Sequence, residues 1–141
     1  MWVSAAAVLA VGVLAASGAF ACTGTQNIPT KIVKPLSKSG PSGTLIKAKA
    51  PQSSLMPVGW KFDLLFADSA HLAVDQECHH SGVPIGGPTT STAGTVANTG
   101  KIPGTTGNVP ALTPVGQAAV CFARTGNYGA LNTLPDFFTV T

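Results

Sequence analysis

Glycine and proline punctuate this chain so densely that no long regular element persists in it. Sixteen glycines and eleven prolines occur among 141 residues, and from Cys22 onward no apolar repeat of helical period is sustained over three turns. A helical domain needs such a repeat to bury one face, whereas a strand needs only four to eight residues of period two. The residues between the breaks do alternate. Trp60 to Phe66 collects Trp60, Phe62, Leu64 and Phe66 on one face, with Lys61 and Asp63 opening the other. Thr44 to Ala50 sets Ile46, Ala48 and Ala50 against Lys47 and Lys49, and Pro51 stops it. Gln117 to Ala123 is apolar on both faces, as a central strand is, and Phe137 to Thr141 follows Pro135-Asp136. Ile32 to Val33, the segment around Glu77 and Cys78, and Gly94 to Ile102 are shorter candidates. Six or seven short strands with turn signals at roughly ten-residue intervals predict an all-β sandwich.

Ahead of these strands lies a segment of a different kind. Residues 2 to 21 carry no charged side chain and end in Ala19-Phe20-Ala21, the small-x-small pattern read by signal peptidase. The expectation is a signal helix over 1–21, a lead over 22–30 and one domain over 31–141. A retained anchor is the alternative, since about 20 apolar residues span a bilayer, but no basic stop-transfer cluster follows. Cys22, directly after the cut, stands where a bacterial lipoprotein carries its lipidated cysteine. Ala21 fits that resemblance, whereas Phe20 is bulky and Ala19 replaces the preferred Leu. Cys22 is therefore either a lipid anchor or a free thiol, and the domain reaches a membrane only through that lipid or an uncleaved signal. Either way the protein is expected to be secreted or held at the cell surface.

Export sets the redox state of the two remaining cysteines. Cys78 and Cys121 lie inside the domain, and an oxidising compartment favours their pairing. In the loop-entropy model a bridge closing a loop of this size stabilises by about 4 kcal/mol. Eight basic and five acidic residues leave a net charge of +3, too little charge and too much apolar content for a disordered chain.

The order SGPSGTLIKAKAP, LMPVGWKFDLLFAD, GTVANTGKIPG, PVGQAAVCFA and PDFFTVT resembles the immunoglobulin-like domains of secreted and surface-attached bacterial proteins. In that resemblance Gly43 opens an early strand, Pro57-Val58-Gly59 turns into a central one, and Ile102-Pro103 closes a strand ahead of Gly116 to Ala123. The segment Ser39 to Asp68 also resembles neocarzinostatin-type apoproteins, secreted carriers of an apolar ligand. That family has two short-loop disulfides, and this chain has two widely separated cysteines instead. Cys121, within an apolar strand, is placed to reach a neighbouring strand or the facing sheet, as the inter-sheet bridges of immunoglobulin-like domains do.

Catalytic chemistry finds little material. The carboxylates are Asp63, Asp68, Asp75, Glu77 and Asp136, with no pair set to flank one bond, and solvated faces are the expectation for them. Gly40-Pro41-Ser42-Gly43 is one residue short of a nucleophile elbow, and Gly86-Gly87 and Gly100-Lys101 lack the rest of a phosphate loop and read as turns. His71, Cys78, His79 and His80 are the densest set of metal-ligand types. On a strand His79 and His80 diverge, while a single turn brings two of them together, and a disulfide consumes the Cys78 thiolate, so structural or exposed histidines, no metal and no cofactor are expected.

Six of the eight basic residues fall between Lys31 and Lys61, and four of the five acids between Asp63 and Glu77. One part of the domain is thus electropositive and suits teichoic-acid-like polymers or anionic headgroups, with an ordinary solvated face as the alternative. No aromatic residues interleave with those charges, which argues against nucleic acid. The expected function is a non-enzymatic structural, adhesive or binding module facing a cell-wall polymer or surface protein. The other reading is a carrier with a small apolar ligand between strand ends and the Ser81 to Asn108 region. Peptide mapping without reductant should recover the Asp75 to Ser81 peptide joined to the Val120 to Ala123 peptide. Cys22 joined to either as the main species would overturn both the pairing and the lipid anchor.

Overall fold

Alternation decides which side chains two sheets can share. In the computed structural model, which describes residues 28–33, 35–75, 77–94 and 99–141, Leu45–Lys49 (β3) buries Ile46 and Ala48 and leaves Leu45 and Lys49 exposed. It lies between Lys31–Ile32 (β1) and Thr105–Asn108 (β6), antiparallel to both, in a sheet of three. The second sheet runs Ser39–Gly40 (β2), Asp136–Val140 (β8), Gly116–Arg124 (β7), Lys61–Ala67 (β4) and Val83–Thr90 (β5). Its pairs are antiparallel except β2 with β8, which is parallel. The protein is all-β, with two sheets that share one core.

That core takes Ile32, Ile46 and Ala48 from the first sheet. The second supplies Phe62, Leu64 and Phe66 of β4, Ala118, Val120 and Phe122 of β7, and Phe138 and Val140 of β8. Full burial of each Phe, Leu or Val contributes about 1.5–3 kcal/mol. Ile28, assigned by sequence to the lead, is buried in the same core, because Leu134 donates its amide to the Ile28 carbonyl and Pro29 bridges Leu134. Residues 1–27, including the expected signal segment and Cys22, lie outside the described residues.

The other face of β4 and β7 is covered as well. Leu65, Ala67, Ala119, Cys121 and Ala123 form a second cluster with Cys78, packed by Leu72 and Tyr128. Two short helices after β4, Ser69–Asp75 (α1) and Cys78–Ser81 (α2), supply that layer. Asp68 starts α1, its Oδ1 accepting from the His71 amide at 3.0 Å. The Cys78–Cys121 disulfide exists, but it ties α2 to the outer face of β7 and does not join the two sheets. Strand alternation is the cause, since Val120 and Phe122 point into the core and Cys121 between them points away.

Several expectations need correction. In the segment around Glu77 and Cys78, expected as a strand, Glu77 is extended and Cys78 opens the helix α2. Ser81 to Asn108 holds two strands, β5 and β6, where the sequence reads as loop, and Gly86-Gly87 lies within β5 and is no turn. Prolines at 84 and 88 fit because β5 is an edge strand, where a missing amide donor costs no ladder bond. Glycines at 86 and 107 let β5 and β6 come together, since an added Cβ would meet the Thr106 or the Ile85 carbonyl oxygen. Within the candidate strand Gly94 to Ile102, Lys101 makes an isolated bridge to Thr92 and residues 95–98 lie outside the described residues. Asp63 is buried and not solvated, its carboxylate accepting from the Tyr128 hydroxyl at 2.9 Å. The described residues contain eight strands, two of them only two residues long.

Asp136 joins the two sheets by hydrogen bonds. Its carboxylate accepts from the Ile32 amide of β1 at 2.9 Å and from the Lys38 ammonium at 3.1 Å. Burial opposes its ionisation, but the Ile32 and Phe137 amides and the Lys38 ammonium outweigh that and hold the carboxyl below the usual aspartate range. A depressed folded pKa gives stability that is fully present above the unfolded value of about 3.9 and lost as pH falls through the folded one. Asp136→Asn should therefore lower urea-unfolding stability at pH 7 by about 1–2 kcal/mol, and the deficit should shrink as pH drops below about 4. A deficit that is constant with pH would show that the charge contributes nothing.

Candidate functional site

Three lysines meet over an apolar floor at one end of the three-stranded sheet. Lys31 of β1 and Lys49 of β3 are direct cross-strand partners in the ladder. Like charges opposite one another destabilise a strand pair, so these positions carry an electrostatic cost that an anion would relieve. Lys101 faces them across a cleft of about 430 Å³, whose floor is the buried Ala50 and Ile102 and whose walls include Pro51 and Pro103. Among the described residues no carboxylate lines the cleft. Among the described residues no ion pair involves Lys31, Lys47, Lys49 or Lys101.

Local structure places each lysine. The period of two in β3 buries Ile46 and Ala48 and turns Lys49 outward, while the stem of Lys47 lies against Gly104 at the cleft margin. Lys101 is held by reciprocal backbone bonds with Thr92, 2.9 and 3.2 Å long. Gly100 before it has φ +50°, and a Cβ there would strike the Met56 carbonyl oxygen, so the approach to Lys101 requires glycine.

The expected histidine set divides. His71 on α1 pairs through Nδ1 with Asp68 at 2.7 Å. Burial opposes ionisation of Asp68, but hydrogen bonds from His71 outweigh it and hold the carboxyl low. His79 and His80 do not diverge, because they lie on a helical turn, and both ring Nε2 atoms approach Glu77 Oε2, at 3.1 and 3.4 Å. Cys78 and Cys121 are joined. Ser42 donates to the Thr113 carbonyl, in a turn closed by Gly43 at φ +84°. Tyr128 is held protonated by burial first and by its bond to Asp63 second, which raise its pKa. Arg124 stacks on Trp60, 3.7 Å from the ring centroid.

Sequence reasoning noted the electropositive segment from Lys31 to Lys61 but did not assemble the cleft. Lys101 comes from a distant part of the chain, and backbone bonds of Lys101 with Thr92 and of Gly100 with Ser53 bring it across. The alternation of Lys47 and Lys49 with buried residues is the signal that marks a charged outer face. No known protein family matches the chain, and neither a curated protein nor a solved structure does.

Proposed function

We propose that this protein is a non-enzymatic, exported immunoglobulin-like module whose lysine cleft binds an anionic polymer of the cell envelope. The observation that carries the reading is the cross-strand pair Lys31 and Lys49 with Lys101 opposite and, among the described residues, no carboxylate in the lining. A low-dielectric floor beneath like charges focuses their field, and repeated phosphates on a polymer suit three separated ammonium groups. The strand order supports the immunoglobulin-like assignment: one sheet reads first, third and sixth strands, and the other places the second strand parallel to the last, followed by β7, β4 and β5, an order compatible with a two-sheet sandwich of that kind. The extracytoplasmic assignment rests on the signal-like segment and on the disulfide, which an oxidising compartment favours. A non-enzymatic role is supported by the occupation of Asp63, Asp68 and Asp136 in hydrogen bonds of the fold.

The carrier reading has one observation of its own, the apolar floor of Ala50, Ile102 and the two prolines. It requires a small apolar ligand to copurify from the native host in stoichiometric amount, which mass spectrometry detects. The polymer reading requires sedimentation with isolated cell walls, weakening with salt because exposed charges are screened over about 10 Å at 0.1 M. Replacing Lys31, Lys49 and Lys101 together by Gln should weaken that binding by about threefold to a hundredfold, at about 0.2–1 kcal/mol per exposed pair. Walls stripped of anionic polymer should bind neither form. Salt-independent binding, or a triple variant that sediments like the parent, would overturn the proposal.

A further inference from the structure

The helical turn after α1 gathers three metal-ligand types that the lysine cleft does not use. Glu77 precedes α2 in an extended conformation, φ −140° and ψ 129°, and its side chain does not cap the helix. Its Oε2 lies instead between two imidazoles, 3.1 Å from His79 Nε2 and 3.4 Å from His80 Nε2, and no two of the three ligand atoms are more than 4.8 Å apart. His79 is 7% exposed, and its Nε2 is buried without a hydrogen-bond partner. The carboxylate is near that nitrogen but off the axis of a hydrogen bond. A buried polar atom without a hydrogen bond costs about 1–3 kcal/mol, and a cation shared by the His79 nitrogen and the nearby carboxylate would offset that cost.

We propose that Glu77, His79 and His80 bind one Zn²⁺ ion through Oε2 and the two Nε2 atoms. Zinc holds nitrogen and oxygen ligands at about 2.0–2.2 Å in a tetrahedron, whose ligand-to-ligand edges are then about 3.3–3.5 Å. The 3.4 Å separation from His80 Nε2 falls within that range, and the 3.1 Å separation from His79 Nε2 lies just below it. The remaining edge closes by rotation of His80, whose side chain is half exposed. The fourth position is left for water, and a cavity of about 80 Å³ beside Glu77 and His79, walled by Asn132 to Pro135, has room for it. Two imidazoles and a single carboxylate select a borderline cation over Mg²⁺ or Ca²⁺, which require mostly oxygen ligands.

The surroundings hold the turn in place. The disulfide takes the Cys78 sulfur out of the ligand set and fixes the backbone between Glu77 and His79 to β7. The turn is thus anchored before any ion arrives, which lowers the ordering cost of binding.

The test uses the full chain without an affinity tag, stripped with chelator. Titration calorimetry should give one Zn²⁺ per chain, and a hundredfold excess over Kd should raise the thermal midpoint by several degrees. Mg²⁺ should leave the midpoint unmoved, and Co²⁺ should give the intense visible absorption of a tetrahedral site. His80→Ala and Glu77→Gln, at sites that are not fully buried, should each weaken Zn²⁺ at least tenfold, and His71→Ala should bind as the parent does. Circular dichroism of the metal-free variants separates lost ligands from lost folding. No stoichiometric binding, equal affinity in the His80 and Glu77 variants, or equal loss in the His71 variant would overturn the assignment.

Discussion

The ladder between β4 and β7 is the constraint on which everything else rests. Six successive pairs, from Phe62 with Arg124 to Ala67 with Ala119, run antiparallel through the middle of the five-stranded sheet. Both strands are apolar on both faces, so the ladder cannot stand with one side in water. One face requires the three-stranded sheet, and the other requires a second cover. α1 and α2 provide that cover from the connection between β4 and β5, and the disulfide holds it down on Cys121. The outer layer contains few large side chains, so a bridge that removes about 4 kcal/mol of loop entropy from the unfolded chain is a large share of what holds it.

Strands with a clear period of two, or with an apolar run bounded by turn residues, were legible in the sequence, and those with neither were not. β3 and β4 lie within a residue of the runs that alternation marks, and β7 and β8 within a residue of the bounded apolar runs. β5 and β6 are invisible to that argument, because Val-Pro-Ile-Gly-Gly-Pro-Thr-Thr and Thr-Thr-Gly-Asn carry the residues of turns. They are strands for tertiary reasons, one being an edge that tolerates proline and both meeting through glycine backbones. The short helices fail for a related reason. Two turns or fewer give no period to read, and α2 is set by its disulfide and packing more than by propensity. The candidate cleft was half legible, since the lysine-rich segment is plain while Lys101 joins it only through the fold. For the histidines the sequence leaves two geometries open, because a strand separates neighbours that a helical turn brings together, and the fold selects the turn.

Charge ties the fold to its surfaces. The acids whose side chains are described are all engaged within the protein: Asp63 with Tyr128, Asp68 with His71, Asp136 with Ile32 and Lys38, and Glu77 with the histidines. The lysines of β1, β3 and the Thr92 bridge have no such partners among the described residues. A net charge of only +3 is therefore expressed unevenly, as a local positive field at the three-stranded sheet. The two candidate sites also lie on opposite sides of the layered structure, one at the three-stranded sheet and the other beyond the outer face of the five-stranded sheet. They obey different physics. The cleft depends on exposed charges whose reach shortens with salt, whereas the histidine cluster depends on short, partly buried contacts that salt barely screens. Ionic strength alone should thus separate them, acting on what the lysines hold while leaving the Glu77 turn as it is.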